Sequence, residues 1–215
     1  MKLGIFDSGI GGEAVAAALR VTFPEASIIT VNDRQNVPYG NKSQDEVIHL
    51  TNAALQPLLS ERCDVIILAC NTATALAIDW LRDQYPQQLF IGIEPMIKTA
   101  AELTKTNNIA VCATPATLKS DRYHSLLTKY ASHITITEPD CSDWAYLIEN
   151  NKINRQHVQK QIMTACNQDA DIIVLGCTHY HWIKDLIIDI AADRATVIEP
   201  SDAIGRRVRQ LLGLG

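Results

Sequence analysis

The chain contains a near copy of part of itself, and that repeat constrains its fold more than any other feature. Asp64-Val-Ile-Ile-Leu-Ala-Cys70-Asn-Thr72 and Asp171-Ile-Ile-Val-Leu-Gly-Cys177-Thr-His179 lie 107 residues apart. The same offset carries Asp7 onto Thr114, and Ile29-Thr-Val-Asn-Asp33 onto Ile136-Thr-Glu-Pro-Asp140. Gly92-Ile-Glu94-Pro95 recurs as Val197-Ile-Glu199-Pro200, 105 residues on. Four strand ends recurring in one order and nearly in register point to two similar halves.

Within each half, short Val/Ile-rich runs alternate with longer segments of helical periodicity. The runs are Leu3-Phe6, Ser27-Val31, Val65-Leu68, Leu89-Ile93, Ile109-Val111, Ile134-Thr137, Ile172-Leu175 and Thr196-Ile198. Helical spacing marks Glu46-Leu59, Thr72-Gln84, Leu118-Tyr130, Gln156-Cys166 and Ile183-Ala192. This alternation predicts α/β units with largely parallel sheets. We expect two α/β lobes, 1–93 with the C-terminal helix 200–215, and 94–199, related by pseudo-two-fold symmetry with the active site in the cleft between them. In open α/β sheets the working residues gather at the carboxyl ends of strands, and every repeated motif ends a strand.

Composition narrows the functions available. The 215 residues carry a net charge of -5, with no stretch of Lys and Arg able to neutralise a phosphate backbone, so a nucleic-acid partner is not expected. Arg206, Arg207 and Arg209 read as the solvated face of a C-terminal helix. No apolar run reaches the roughly 20 residues that span a bilayer, and Asp7 with four glycines interrupts the first twelve residues, where a signal peptide needs an apolar core. A cytoplasmic protein is expected, with no membrane association. Six cysteines without a C-x-x-C pair fit reduced thiols.

Cys70 and Cys177 stand out because they occupy equivalent positions in the repeat. A lone cysteine closing a buried strand is ordinarily a small core residue. Here each is followed by polar residues, Asn71-Thr72 and Thr178-His179, at a strand-to-helix turn suited to binding a carboxylate at a helix N-terminus. The positive end of a helix also favours a thiolate. Two symmetric thiols suit inversion of a stereocentre, which needs a base on one face and an acid on the other. A disulfide or a metal pair at Cys177-x-His179 is the alternative, but no further ligand lies at suitable spacing, and no metal is expected.

Gly9-x-Gly11-x-x-Ala14 after the first strand, with Asp33 about twenty residues on, fits a loose dinucleotide fingerprint. That rival leaves Asp7-Ser8 at the strand tip unexplained, and its copy at Ala113-Thr114-Pro115 has no glycines. Otherwise the glycines let the backbone approach a small ligand, with Ser8 donating to a carboxylate and Asp7 accepting from an ammonium or taking a proton. By spacing alone Val37-Pro38-Tyr39-Gly40 is a loop entering a helix. His179 reads as an acid, as an orienter of the thiol, or as a surface imidazole. Glu149 reads as an exposed helix acid.

Taken together, Phe6-Asp-Ser-Gly-Ile-Gly-Gly12, Val37-Pro-Tyr-Gly40, Ala69-Cys-Asn-Thr-Ala-Thr74, Ile93-Glu-Pro95, Ala113-Thr-Pro-Ala-Thr117 and Leu175-Gly-Cys-Thr-His-Tyr180 resemble the glutamate racemases of the aspartate/glutamate racemase superfamily. The resemblance runs from Leu3 to about Leu212. It implies interconversion of L- and D-glutamate without a cofactor, supplying D-glutamate for peptidoglycan, with aspartate racemisation or a non-catalytic binding role as the alternatives. It also implies that Cys70 and Cys177 are the proton-carrying pair, with Asp7, His179 and Glu149 assisting. By the same resemblance, glutamate is contacted at Asp7, Ser8, Tyr39, Gly40, Asn71, Thr72, Thr114, Thr117, Thr178 and His179, and a homodimer is possible. The chain departs from the pattern at Glu13, where leucine is usual, at Arg34, and at His181-Trp182, where Pro-Leu is usual. It also lacks a glycine shortly after Glu149, and it is shorter than most members.

Overall fold

A computed structural model describes residues 1–214. In chain order the first unit runs β1 (Lys2–Asp7), α1 (Gly12–Thr22), β2 (Ser27–Asn32), α2 (Gln44–Ser60), β3 (Val65–Leu68), α3 (Asn71–Gln84) and β4 (Phe90–Gly92). The second runs α4 (Ile97–Leu103), β5 (Asn108–Ala113), α5 (Pro115–Leu118), α6 (Asp121–Tyr130), β6 (Thr135–Thr137), α7 (Trp144–Glu149), α8 (Arg155–Asn167), β7 (Ile172–Gly176), α9 (Lys184–Ala191) and β8 (Thr196–Ile198). A last helix, α10 (Ser201–Leu212), packs against α1 and β4. The chain thus forms two compact units, Met1–Glu94 with Pro200–Gly215, and Pro95–Glu199.

Each unit holds one four-stranded, all-parallel sheet, in the order β2-β1-β3-β4 in the first and β6-β5-β7-β8 in the second. The matching order gives the sequence repeat its physical form. Parallel strands covered by helices on both faces need apolar residues on both, and Val65–Leu68 is buried at all four positions. On one face of the first sheet Leu3, Ile5, Val65 and Ile67 pack with Val15 and Leu19 of α1 and with Ile204 and Val208 of α10. On the other, Phe6, Ile66 and Leu68 pack with Leu55 and Leu58 of α2 and Ala77 and Leu81 of α3. Each such fully buried aliphatic side chain contributes about 1.5–3 kcal/mol.

Local chemistry fixes the helix starts. Ser43 caps α2 by accepting from the Glu46 N–H at 3.3 Å, and Asn154 caps α8 by accepting from the His157 N–H at 3.0 Å. The predicted single helix Leu118-Tyr130 is in fact two. Ser120 leaves the helical path, its hydroxyl accepts from the Tyr123 N–H at 3.2 Å, and it restarts the chain as α6. Among the described residues no helix is long and apolar enough to cross a membrane.

Candidate active site

In the first unit the candidate residues collect at the carboxyl ends of β1 and β3. Asp7 closes β1 and is fully buried. Its carboxylate accepts the Gly9 N–H at 2.8 Å, so the glycine loop folds back onto the aspartate instead of standing open. Gly12, the first residue of α1, has no room for a side chain, because a Cβ there would lie 2.6 Å from the Asp7 Cβ. Cys70 follows β3 and is the N-cap of α3, its sulfur accepting the Ala73 N–H at 3.4 Å. The Ser8 hydroxyl lies 3.2 Å from the same sulfur. Two groups able to donate to a thiolate therefore meet a thiol that is 6% exposed.

Asn71 and Thr72 are buried in the first turn of α3. Neither the amide nitrogen nor the amide oxygen of Asn71 has a hydrogen-bond partner. An unsatisfied buried polar group costs about 1–3 kcal/mol, and the hydrogen-bonding capacity of this amide is not taken up within the protein. Tyr39 and Gly40 are buried in a 3-10 turn, Tyr39–Asn41, that leads into α2. The Tyr39 hydroxyl donates to the Asp33 carboxylate at 2.7 Å, and the Asn36 amide donates to both Asp33 oxygens. Burial, followed by this bond, pushes the phenol well above its usual range, so it remains a donor. Asp33 is occupied in anchoring Tyr39, a role that the dinucleotide reading of the sequence does not contain.

In the second unit Cys177 immediately follows β7 and is also 6% exposed. The sequence predicts a helix N-terminus after it, as after Cys70. The structure instead has a 3-10 turn, Thr178–Ile183, and the Cys177 side chain makes no cap bond. Its sulfur lies 3.8 Å from Nδ1 of His179. The other ring nitrogen, Nε2, lies 2.8 Å from a carboxylate oxygen of Glu149. If Nε2–H donates to Glu149, Nδ1 is left as an acceptor facing the thiol. Glu149 is not an exposed helix acid: at the end of α7 its side chain is 8% exposed, and that of His179 is 3%. The surface-imidazole reading of His179 fails for the same reason.

Thr114, the N-cap of α5, immediately follows β5, and its hydroxyl lies 3.0 Å from that of Thr117. Both are buried, as is Thr178. Sequence reasoning read Asp33 only as part of a dinucleotide fingerprint, and gave no separate role to the aromatic pair Trp144 and Tyr180, whose rings meet edge-on at 5.2 Å. The available signal for Tyr180 was the repeat itself, which sets it opposite Ala73. All six cysteines are free. Among the described residues no cluster of three or more His, Cys, Asp or Glu could hold a metal ion.

A family described as Asp/Glu/Hydantoin racemase matches residues 12–206. A glutamate racemase from Herpetosiphon aurantiacus is 36% identical over 214 residues, covering 98% of this chain and 84% of that protein. Among solved structures, Escherichia coli glutamate racemase, in complex with L-glutamate and the activator UDP-MurNAc-ala, superposes with a TM-score of 0.89 at 26% identity, covering 99% of this chain and 82% of that one. The Francisella tularensis glutamate racemase in complex with D-glutamate gives a TM-score of 0.84 at 28% identity, with 99% and 81% covered.

Proposed function

The chain belongs to the Asp/Glu/Hydantoin racemase family, and on that premise we propose that it interconverts L- and D-glutamate by proton transfer between Cys70, Cys177 and the α-carbon, without a cofactor. One observation carries the reading. Two buried thiols stand at equivalent strand ends, and each meets a group that can hold or relay its proton: Ser8 for Cys70, and His179 backed by Glu149 for Cys177.

In the proposed cycle one cysteine, as thiolate, takes the α-proton, and the other, as thiol, delivers a proton to the opposite face. The reverse reaction exchanges the roles. An α-proton next to a carboxylate is a poor acid, so donors must meet the charge that develops as it leaves. The free amide of Asn71 and the hydroxyls of Ser8, Thr72, Thr114, Thr117 and Thr178 are assigned to the substrate carboxylates, with Tyr39 and Gly40 completing that contact. Asp7 is assigned to the ammonium group and to assisting Cys70. Burial of both thiols keeps competing water away from the charged intermediate. His179 serves as proton acceptor for Cys177, with Glu149 holding its ring and balancing the imidazolium that forms.

The product would supply D-glutamate for peptidoglycan from the cytoplasm, where free cysteines stay reduced. The test is direct. Reduced, purified protein in D2O is given each enantiomer of glutamate and of aspartate, and chiral chromatography with mass spectrometry follows inversion and α-deuteration. Inversion of glutamate with deuterium at Cα is expected. Binding without exchange would make the protein a non-catalytic relative, and preferential inversion of aspartate would reassign the substrate.

A further inference from the structure

The relay on Cys177 depends on the spacing of two short elements. Glu149 is the last residue of α7, a six-residue helix with no side-chain cap at its start. His179 rides on the 3-10 turn Thr178–Ile183. Neither element is long enough to define its own position, and the His179–Glu149 distance is set by whatever joins them.

Tyr180 lies where they meet, and it is fully buried. Its N–H donates to the Cys177 carbonyl at 3.0 Å, closing the 3-10 turn. Its hydroxyl donates to the Cys141 carbonyl at 2.9 Å. That carbonyl also accepts the Trp144 N–H at 3.2 Å, so it marks the point where α7 begins. The Tyr180 ring meets the Trp144 ring edge-on, with an interplanar angle of 68°. The indole N–H of Trp144 has no hydrogen-bond partner, which leaves the tryptophan held by packing and its backbone. Burial first, and then the neighbouring Cys177 and Cys141, push the Tyr180 phenol well above its usual range, so the hydroxyl persists as a donor. In the first unit the equivalent position is Ala73, whose N–H contacts the Cys70 sulfur directly. The bulky tyrosine is present only in the unit whose thiol works through a histidine and a glutamate.

We infer that Tyr180 is a positioning residue: it locks the turn bearing His179 to the start of α7, and so holds His179 and Glu149 in the geometry that serves Cys177. The inference rests on the racemase reading but makes its own prediction, because the tie affects one thiol and not the other. Tyr180→Phe keeps the ring and removes the hydroxyl. Its expected signature is a fall of about tenfold in the rate of Cys177 alkylation by iodoacetamide relative to Cys70, resolved by peptide mass spectrometry. A fall in kcat of similar size with little change in KM should accompany it.

Two controls keep the test open to failure. Cys141 is buried and its thiol is pushed up by that burial and by Cys112, so it should stay unreactive in both proteins. Its alkylation in Tyr180→Phe would show general loosening of the unit and overturn a positioning role. Adding Tyr180→Phe to His179→Gln should slow Cys177 no further; an additional independent loss would mean that Tyr180 does not act through His179. Trp144→Phe, which loosens the same contact with the hydroxyl intact, should slow Cys177 in the same sense by a smaller factor, and it serves if Tyr180→Phe does not fold. An unchanged ratio of Cys177 to Cys70 reactivity in a wild-type background that racemises would defeat this inference alone. A wild-type protein that racemises neither amino acid would defeat the underlying reading instead.

Discussion

Cys70 and Cys177 follow equivalent strands of equivalent sheets, yet the chain folds differently after each. Beyond Cys70 the residues Asn71-Thr72-Ala73-Thr74 are small enough to enter a 14-residue helix at once, and the thiol becomes its cap. Thr74 fastens that start, donating to the Leu68 carbonyl at 3.2 Å and accepting from the Ile93 N–H at 3.1 Å. Beyond Cys177 the same places hold Thr178, His179, Tyr180 and His181, and the chain takes a 3-10 turn. One thiol is thus supported by backbone and a hydroxyl, the other by a side-chain relay. The repeat preserved the position of the thiol and left its surroundings free to diverge.

The largest effects should come from the thiols themselves. Cys70→Ala and Cys177→Ala are each expected to lower racemisation by at least about 10³-fold, since neither half can perform both transfers. Survival of either variant at near wild-type rate would end the two-thiol comparison. Next in size are the supports. Replacing His179 with Gln should cost about 10²-fold in kcat and Glu149→Gln about tenfold, while Ser8→Ala should cost only a few-fold, because the Ala73 N–H still meets the Cys70 sulfur. Equal losses at Ser8 and His179 would mean that the two environments do the same work.

A smaller and opposed pair of effects is expected at Asn71. Asn71→Ala removes two unsatisfied buried atoms, so the free protein should hold or gain about 1 kcal/mol in thermal unfolding while KM for glutamate rises about tenfold. A clear loss of stability would show that the amide has a structural role.

The smallest effect concerns pH and is confined to the second unit. Burial holds the His181 pKa below its usual value; Lys184 adds to this, and Glu199, 3.6 Å away, opposes it. With the folded pKa depressed, both states are neutral above about pH 6.5, and histidine has no effect there. As the pH falls through that value the unfolded chain takes up a proton that the folded one resists, so stability declines until the folded pKa is passed. Tm should fall between about pH 7 and pH 5, and His181→Gln should flatten that fall. The unit 1 counterpart, Thr74, has no such dependence, so an unaltered slope in the variant would remove His181 from the account.

The strands were legible because both faces of a parallel sheet are buried. That leaves continuous runs such as Val65–Leu68 and Ile172–Gly176, each followed within two residues by a cysteine. Internal similarity then pointed to two similar units, while the strand order they share is seen only in the fold. The supports were less legible because they arise from docking between elements. Glu149 looks like a surface acid until α7 packs on the turn after Cys177. The break at Ser120 and the 3-10 turn at Thr178 depend on local hydrogen bonds that apolar spacing does not encode. Asp33 fits a ribose-binding pattern by sequence, and only the fold shows Tyr39 and Asn36 on its carboxylate.

The central claim is that the two thiols are bases of opposite hand. Its most direct test is α-hydrogen exchange in D2O by Cys70→Ala and Cys177→Ala, each supplied separately with L- and with D-glutamate. Each variant should deuterate one enantiomer with retention of configuration, and the two variants should choose opposite enantiomers. Exchange of the same enantiomer by both, or of both enantiomers by either, would contradict the assignment of one thiol to each face.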